Sequence, residues 1–328
     1  LIFIQLKREM PKSLFALRRL IRRISINHPQ HNSIHQELYN SNAGYSGEKY
    51  IDSVLKNIHF PIPHSIFPNF RLCEKNIPSS QIDILVFTPA YALVIEVKNW
   101  SGSISFQQTG QTIQTKDSIV RSMDCPIVQA EYYKENLKDW FHLKGINHPV
   151  HRVVIFPYAS TILLGAEGRG VHFAKELPQI IRNLNKLPLL MNSNEFNSLS
   201  KKLIDVNKSF KRNTLCQQYG ILPSELTQGV YCSHCDIQLY KKNSRHYVCP
   251  SCSIVSENPV KETMIDWFTL FDSHVTNKDV RLLSGILDSY RVQYYMKLSG
   301  FPFTGRNKGR VYHVNEYEKL LFLSNNTK

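Results

Sequence analysis

The sequence lacks any apolar run approaching the ~20 residues that a membrane-spanning helix needs. Its apolar N-terminal stretch "LFALRRLIRRI" is broken by arginine pairs, whereas a secretory leader needs an unbroken apolar core. Integral membrane association is therefore not expected, and the chain reads as cytoplasmic. It opens on Leu1 rather than Met, so either the start codon is unusual or the numbered chain is incomplete. Internal repeats and low-complexity tracts are missing as well, which leaves a globular protein rather than a repeat array or a disordered tail. Acidic residues are scarce: 26 Asp and Glu stand against 40 Lys and Arg, for a net charge of +14. Cysteines number seven, an odd count with four of them in two close pairs. That suits a metal site in a reducing compartment better than a disulfide framework.

The 328 residues, 42% of them hydrophobic, suffice for about two domains with real cores. The positive charge is concentrated at the ends: residues 1–30 hold seven Lys or Arg and one Glu, and residues 291–328 hold seven and two. Such ends suit a polyanion, nucleic acid above all, although an acidic membrane surface would also accept them. In residues 1–39, Leu14, Leu17, Leu20, Ile21 and Ile24 fall at helical spacing with Arg18, Arg19, Arg22 and Arg23 between them. This predicts a basic amphipathic helix, either packed with a solvated arginine face or serving as a nucleic-acid arm. A His/Asn/Pro-rich link over residues 27–43 follows. Residues 40–160 then read as a helix in "GYSGEKYIDSVLKNI", a strand in "SIFPNFRL", a strand hairpin and a further short strand in "GSISF". A helix started by Pro126 and a buried strand in "HRVVIFPYA" complete the stretch. This is an α/β arrangement, a small mixed sheet with helices against it. Residues 161–228 look mostly helical.

The hairpin "QIDILVFTPAYALVIEVKNW" (81–100) is the informative stretch. A four-residue loop at 88–91 sets Phe87 opposite Ala92 and Asp83 opposite Glu96. Two like charges on one rung are destabilising, and burial worsens the conflict; a divalent cation between them removes it. The two-residue period puts Lys98 on the face of Glu96. Upstream, Glu48 shares a helical face with Ile51, Leu55 and Ile58, and a carboxylate on a buried face needs a partner. The same holds more weakly for Gln129. Oxygen ligands beside one lysine fit Mg²⁺ or Mn²⁺ better than zinc.

The ordered set "GYSGEKYIDSVL", "QIDILVF", "VIEVKNWSG" and "CPIVQAEYYKENL" resembles the NERD domain, a nuclease-related domain of the PD-(D/E)xK superfamily. The Pro of that superfamily's Pro-Asp pair is Ile82 here, while Asp83 itself is in place. The resemblance implies a restriction-endonuclease-like core in which Asp83 and Glu96 hold the metal. It further implies that Lys98 orients water and stabilises the charge on phosphorus, with Glu48 and Gln129 as accessory groups. Phosphodiester hydrolysis needs these parts: a Lewis acid, a water of lowered pKa and a cation near the developing charge.

In residues 229–256, Cys232 and Cys235 form one C-x2-C and Cys249 and Cys252 another, the spacing of a closed four-thiolate zinc ribbon holding one structural Zn²⁺. Cys73, Cys125 and Cys216 are isolated thiols, and His142, His148, His151 and His172 show no ligand spacing. Residues 257–328 read as three helices, the second capped by Thr276, then a final basic hairpin in "FTGRNKGRVYHV", a Gly-rich turn entering a strand. That outline suits a small α-rich, winged-helix-like module whose phosphate contacts would be Arg291, Lys297, Arg306, Lys308 and Arg310. Three functions follow: a Mg²⁺-dependent nuclease acting on DNA, a non-cleaving nucleic-acid-binding or scaffold protein that keeps the nuclease fold, or, carried by the fewest features, a membrane-surface protein using the N-terminal basic helix. A homo-oligomer is left open.

Overall fold

The computed structural model describes residues 4–208, 213–243 and 246–314. The chain forms two compact units, one of residues 1–8 and 43–210, the other of residues 9–42 and 211–328. It begins with β1 (Ile4–Gln5), α1 (Lys12–Ile21) and α2 (His31–Lys56). The link expected over residues 27–43 is helical from His31 onward. After Pro29 the segment holds no further proline, and its Glu, Gln and Leu propagate a helix begun within it.

The first unit is built on two sheets. In the larger, β1, β2 (Ser65–Leu72), β3 (Ser80–Phe87), β4 (Ala92–Val97), β8 (Val150–Phe156) and β10 (Val171–Phe173) lie side by side in that order. Pairings are antiparallel for β2–β3 and β3–β4 and parallel for β4–β8 and β8–β10, so the sheet is mixed as expected. The strand "SIFPNFRL" and the helix from Pro126, α3 (Pro126–Leu143), form where the sequence places them. Every residue of β4 is buried, the mark of a central strand covered on both faces. One face packs Leu85, Phe87 and Val94 on Leu137, Trp140 and Phe141 of α3 and on Phe196, Leu199 and Leu203 of α5 (Ser193–Val206). The other packs Ile84, Leu93 and Ile95 on Ile51 and Leu55 of α2 and on Leu177 and Ile181 of α4 (Leu177–Leu184).

The second sheet orders β7 (Ile119–Met123), β6 (Thr112–Lys116), β5 (Ser103–Phe106) and β9 (Ile162–Leu164). Gly102 enters it at φ +86°, and a Cβ there would sit 2.4 Å from the Thr115 carbonyl oxygen, so only glycine fits that turn.

The second unit holds α1, the start of α2 and α6 (Leu215–Tyr219). It continues through a sheet of β11 (Tyr240–Lys241), β12 (Tyr247–Val248) and β13 (Val255–Ser256), then α7 (Lys261–Leu270). It ends in β14 (His274–Thr276), α8 (Asn277–Ser284), α9 (Ser289–Leu298), β15 (Phe303–Thr304) and β16 (Val311–His313). β16 lies between β14 and β15. The Thr276 side chain accepts from the Asp279 N–H as the N-cap of α8, and Asp279 answers on the Thr276 N–H. The basic turn and strand of "FTGRNKGRVYHV" form an antiparallel pair, β15 with β16; residues 315–328 lie outside the described residues.

The basic face of α1 is not solvated. Arg19 and Arg23 are buried with the carboxylate of Asp266, at 2.8 and 2.5 Å, and Arg22 reaches the same group at 2.6 Å. Arg22 and Arg23 also stack over the Tyr231 ring. Burial opposes the charge of Asp266, but three guanidinium groups outweigh it and hold this carboxyl well below the usual range. A buried carboxylate on α7 thus consumes the charge that the sequence offered to solvent or nucleic acid, and Arg18 alone of the four faces outward.

Candidate active site and metal centres

The turn closing β3 on β4 is tied by Thr88, whose hydroxyl oxygen accepts the N–H groups of Ala90 and Tyr91 at 3.2 and 2.9 Å. The ladder runs from Phe87↔Ala92 to Ile84↔Ile95, the register expected from the sequence. The next rung, Asp83 with Glu96, is not formed as a ladder pair. Asp83 Oδ2 takes the Val97 N–H at 2.8 Å, so its side chain stands in for a strand carbonyl.

Around this point the other expected groups assemble. Lys98 Nζ lies 2.7 Å from Glu96 Oε1 and donates to Gln129 Oε1 at 2.9 Å. Gln129, in the first turn of α3, is aimed by its own donation to Tyr133 Oη at 2.9 Å. Glu48 arrives on α2, which approaches closely because position 47 is glycine. A Cβ on Gly47 would lie 2.8 Å from Asn99 Cβ, and Asn99 ties the helix by donating to the Ala43 carbonyl at 2.8 Å. The structure therefore brings Asp83, Glu96, Lys98 and Gln129 together with Glu48 beside them.

Three residues of this region carried no sequence signal that singled them out. Arg8, nearly buried, donates to Glu48 through Nη1, to Asp52 through Nε at 2.6 Å and Nη2 at 3.1 Å, and to the Asp83 carbonyl oxygen at 2.9 Å. Asp52 is the fourth residue after Glu48 on α2, and Tyr133 the fourth after Gln129 on α3. Each could have been found as the helical neighbour of a group already suspected.

Glu96 is 1% exposed and its Oε2 has no hydrogen-bond partner. Burial and the Asp83 carboxylate push the Glu96 carboxyl up to about 8, against the pull of Lys98. Burial and Asp83 likewise push Glu48 up to about 8, against Arg8. Asp83 is raised by burial, opposed by the Val97 N–H and Lys98. Burial disfavours the Lys98 ammonium, but Glu96 and Asp83 outweigh it and raise its pKa. Without a divalent cation the folded protein thus keeps protons that the unfolded chain releases near 4.5. Since the folded state binds more protons in this window, stability falls as pH rises from about 4.5 to about 8 and levels off above it. Thermal unfolding across that range should show this slope, and Glu96→Gln should make it shallower, leaving the part that Glu48 contributes.

An unpartnered, buried carboxylate oxygen beside a second carboxylate is what a hard cation would satisfy, so the residues fit Mg²⁺ or Mn²⁺ in chemistry. In spacing they are looser than the thiolates. Among the described residues only Cys232, Cys235, Cys249 and Cys252 form a group of three or more ligand atoms all within 4.8 Å of one another. Cys232 Sγ and Cys252 Sγ are 3.7 Å apart, close to the edge of about 3.8 Å in a sulfur tetrahedron with Zn–S near 2.3 Å. The two knuckles are alike. Asp236 donates to the Cys232 carbonyl and Ser253 to the Cys249 carbonyl, each from a left-handed residue just past the second cysteine. Backbone N–H groups of Cys252 and Ser251 draw the Cys249 thiol down to about 7, toward the thiolate a metal requires.

Of the expected phosphate contacts, Lys297 and Arg306 are exposed, and Arg291 is partly exposed with Asp288 3.9 Å away. Arg310 stacks over the Phe303 ring at 4.2 Å. Lys308 falls in a short turn, and its side chain lies outside the described ones. Arg291 stands between Tyr290 and Tyr294, both well exposed. All three line an open groove of about 860 Å³ with His246 and Glu257, a juxtaposition the sequence pattern did not single out. Among the described residues no helix is long and apolar enough to cross a membrane.

No curated protein and no solved structure matches the chain. Residues 43–157, which contain the whole Glu48, Asp83, Glu96, Lys98 and Gln129 constellation, match the family model described as nuclease-related domain, and the chain accordingly carries a NERD domain.

Proposed function

We propose that the protein is a metal-dependent nuclease that hydrolyses phosphodiester bonds of DNA in the cytoplasm, with a PD-(D/E)xK-like core. The observation that carries this reading is the buried, unpartnered Glu96 Oε2 next to Asp83, with Lys98 fixed between Glu96 and Gln129. Asp83 and Glu96 would hold Mg²⁺ or Mn²⁺, which when bound supplies a Lewis acid and lowers the pKa of water. Lys98, held charged by Glu96 and Asp83 and aimed by Gln129, which Tyr133 holds in turn, is placed to stabilise charge building on the attacked phosphate. Gln129 restricts the ammonium without neutralising it. In this reading the four thiolates hold a structural Zn²⁺. The α7 to β16 segment, with Arg291, Lys297, Arg306, Lys308 and Arg310, is a winged-helix-like module that holds the nucleic acid.

Two observations favour a second reading, a non-cleaving nucleic-acid binder. Glu48 is engaged by Arg8, and the carboxylates are spaced more widely than a closed ligand set. Incubation of the purified protein with supercoiled plasmid and with single-stranded DNA, with Mg²⁺ or Mn²⁺ and without added divalent cation, separates the two. Cation-dependent cleavage supports the nuclease; binding without cleavage in any of these conditions supports the alternative.

A further inference from the structure

Four carboxylates meet in the nuclease-related unit, Glu48 and Asp52 on α2, Asp83 on β3 and Glu96 on β4, and two fixed cations face them, Arg8 and Lys98. With all four carboxyls ionised, the charge left over is that of one divalent ion. The two cations divide the acids between them. Lys98 touches Glu96 and leaves its second oxygen free. Arg8 spreads its fork over both Asp52 oxygens and Glu48, and its side chain is only 4% exposed. It reaches this position because β1 pairs in parallel with β2 and the Leu6 N–H bonds to the Ile66 carbonyl, which carries the segment alongside the sheet. The remaining Nη2 contact, on the Asp83 carbonyl oxygen, pins the middle of β3 and leaves the Asp83 carboxylate to Val97.

We infer that Arg8 is a built-in cation standing where a second divalent ion would otherwise bind, so that the centre takes one ion, at Asp83 and Glu96, with Glu48 and Asp52 withheld from it. This rests on the proposed metal site and adds a positioning residue and a stoichiometry to it. A guanidinium is suited to the task, being always charged, planar and able to bind two carboxylates in a fixed geometry. Two carboxylates one helical turn apart would repel each other if it were missing, and a divalent cation is the ligand that such a pair attracts.

The test counts Mn²⁺ bound to the full-length, zinc-loaded protein. Calorimetry and the spin resonance of free and bound Mn²⁺ give the count. The thiolate site does not interfere, since sulfur ligands favour zinc over manganese. The wild type is expected to bind one Mn²⁺, Arg8→Lys one, and Arg8→Met two, with the spectrum of a spin-coupled pair. Arg8→Gln, neutral but able to hydrogen-bond, serves the same count should Arg8→Met not fold. Two ions in the wild type, or a single ion in folded Arg8→Met or Arg8→Gln, overturns the inference while leaving the metal site standing. No Mn²⁺ bound to the wild type overturns both.

Discussion

Asp83→Asn is expected to lower Mg²⁺-dependent cleavage by at least a hundredfold while leaving the metal-free protein as stable as the wild type or more so. The amide oxygen of asparagine can still accept the Val97 N–H, so the junction of β3 and β4 is kept. What disappears is a buried negative charge. Burial already disfavours that charge, and it pushes up the carboxyls of both Glu96 and Glu48, so removing it relieves repulsion in the metal-free state. The same charge is what a cation would bind, and disturbing a metal's ligand shell even at one remove costs about 10- to 100-fold. Lys98→Met should be equally inactive for a different reason. It removes the cation near the developing charge, a loss of about 10²- to 10³-fold for one such group, but it also frees Glu96 Oε1 and should leave Mn²⁺ binding as tight or tighter. Plasmid cleavage, Mn²⁺ titration and thermal unfolding of the two variants therefore give a crossed pattern. A general loss of folding, with stability and metal binding falling together in both, would contradict the assignment.

How much of this was open to reading from the chain depends on the range of the interaction that fixes each part. The β3–β4 register follows from a local turn and a period of two, and the cysteine knuckles from spacings of three, so both are legible. The β6–β7 hairpin turns at Asp117 and Ser118, both with positive φ, and a two-residue turn of this kind is usually announced by a glycine that this sequence does not have. The fate of the α1 arginines is set by Asp266, more than 240 residues away, which no local pattern can reveal. Arg8 is invisible for the same reason: its partners lie at positions 48, 52 and 83, and a lone arginine in a basic N-terminal segment reads as one more surface charge. Asp83, Glu96 and Lys98 were readable because they interrupt an apolar hairpin, whereas the groups that neutralise and aim them were not.

Loss of metal from the four thiolates should have the largest effect on stability. The ribbon sheet consists of three strands of two residues each, far below what stabilises a sheet on its own. Binding of a structural zinc ion supplies about 10–16 kcal/mol in isolated fingers, as much as the whole stability of a typical domain. Chelation, or Cys249→Ser, is thus expected to abolish hydrogen-exchange protection across residues 230–256, where Val230, Tyr231, Leu239 and Val248 are buried. The effect should reach α1. Tyr231 lies under Arg22 and Arg23 and donates its hydroxyl to the Arg22 carbonyl at 2.9 Å, and Asp236, next to Cys235, pairs with Arg22. Three guanidinium groups gathered on Asp266 would then lose the aromatic face and the second carboxylate that help to hold them in place. Deprotection of residues 12–24 should accompany that of the ribbon in peptides resolved by mass spectrometry. Protection retained in both segments after complete removal of the metal would mean that the cysteines are held by packing alone.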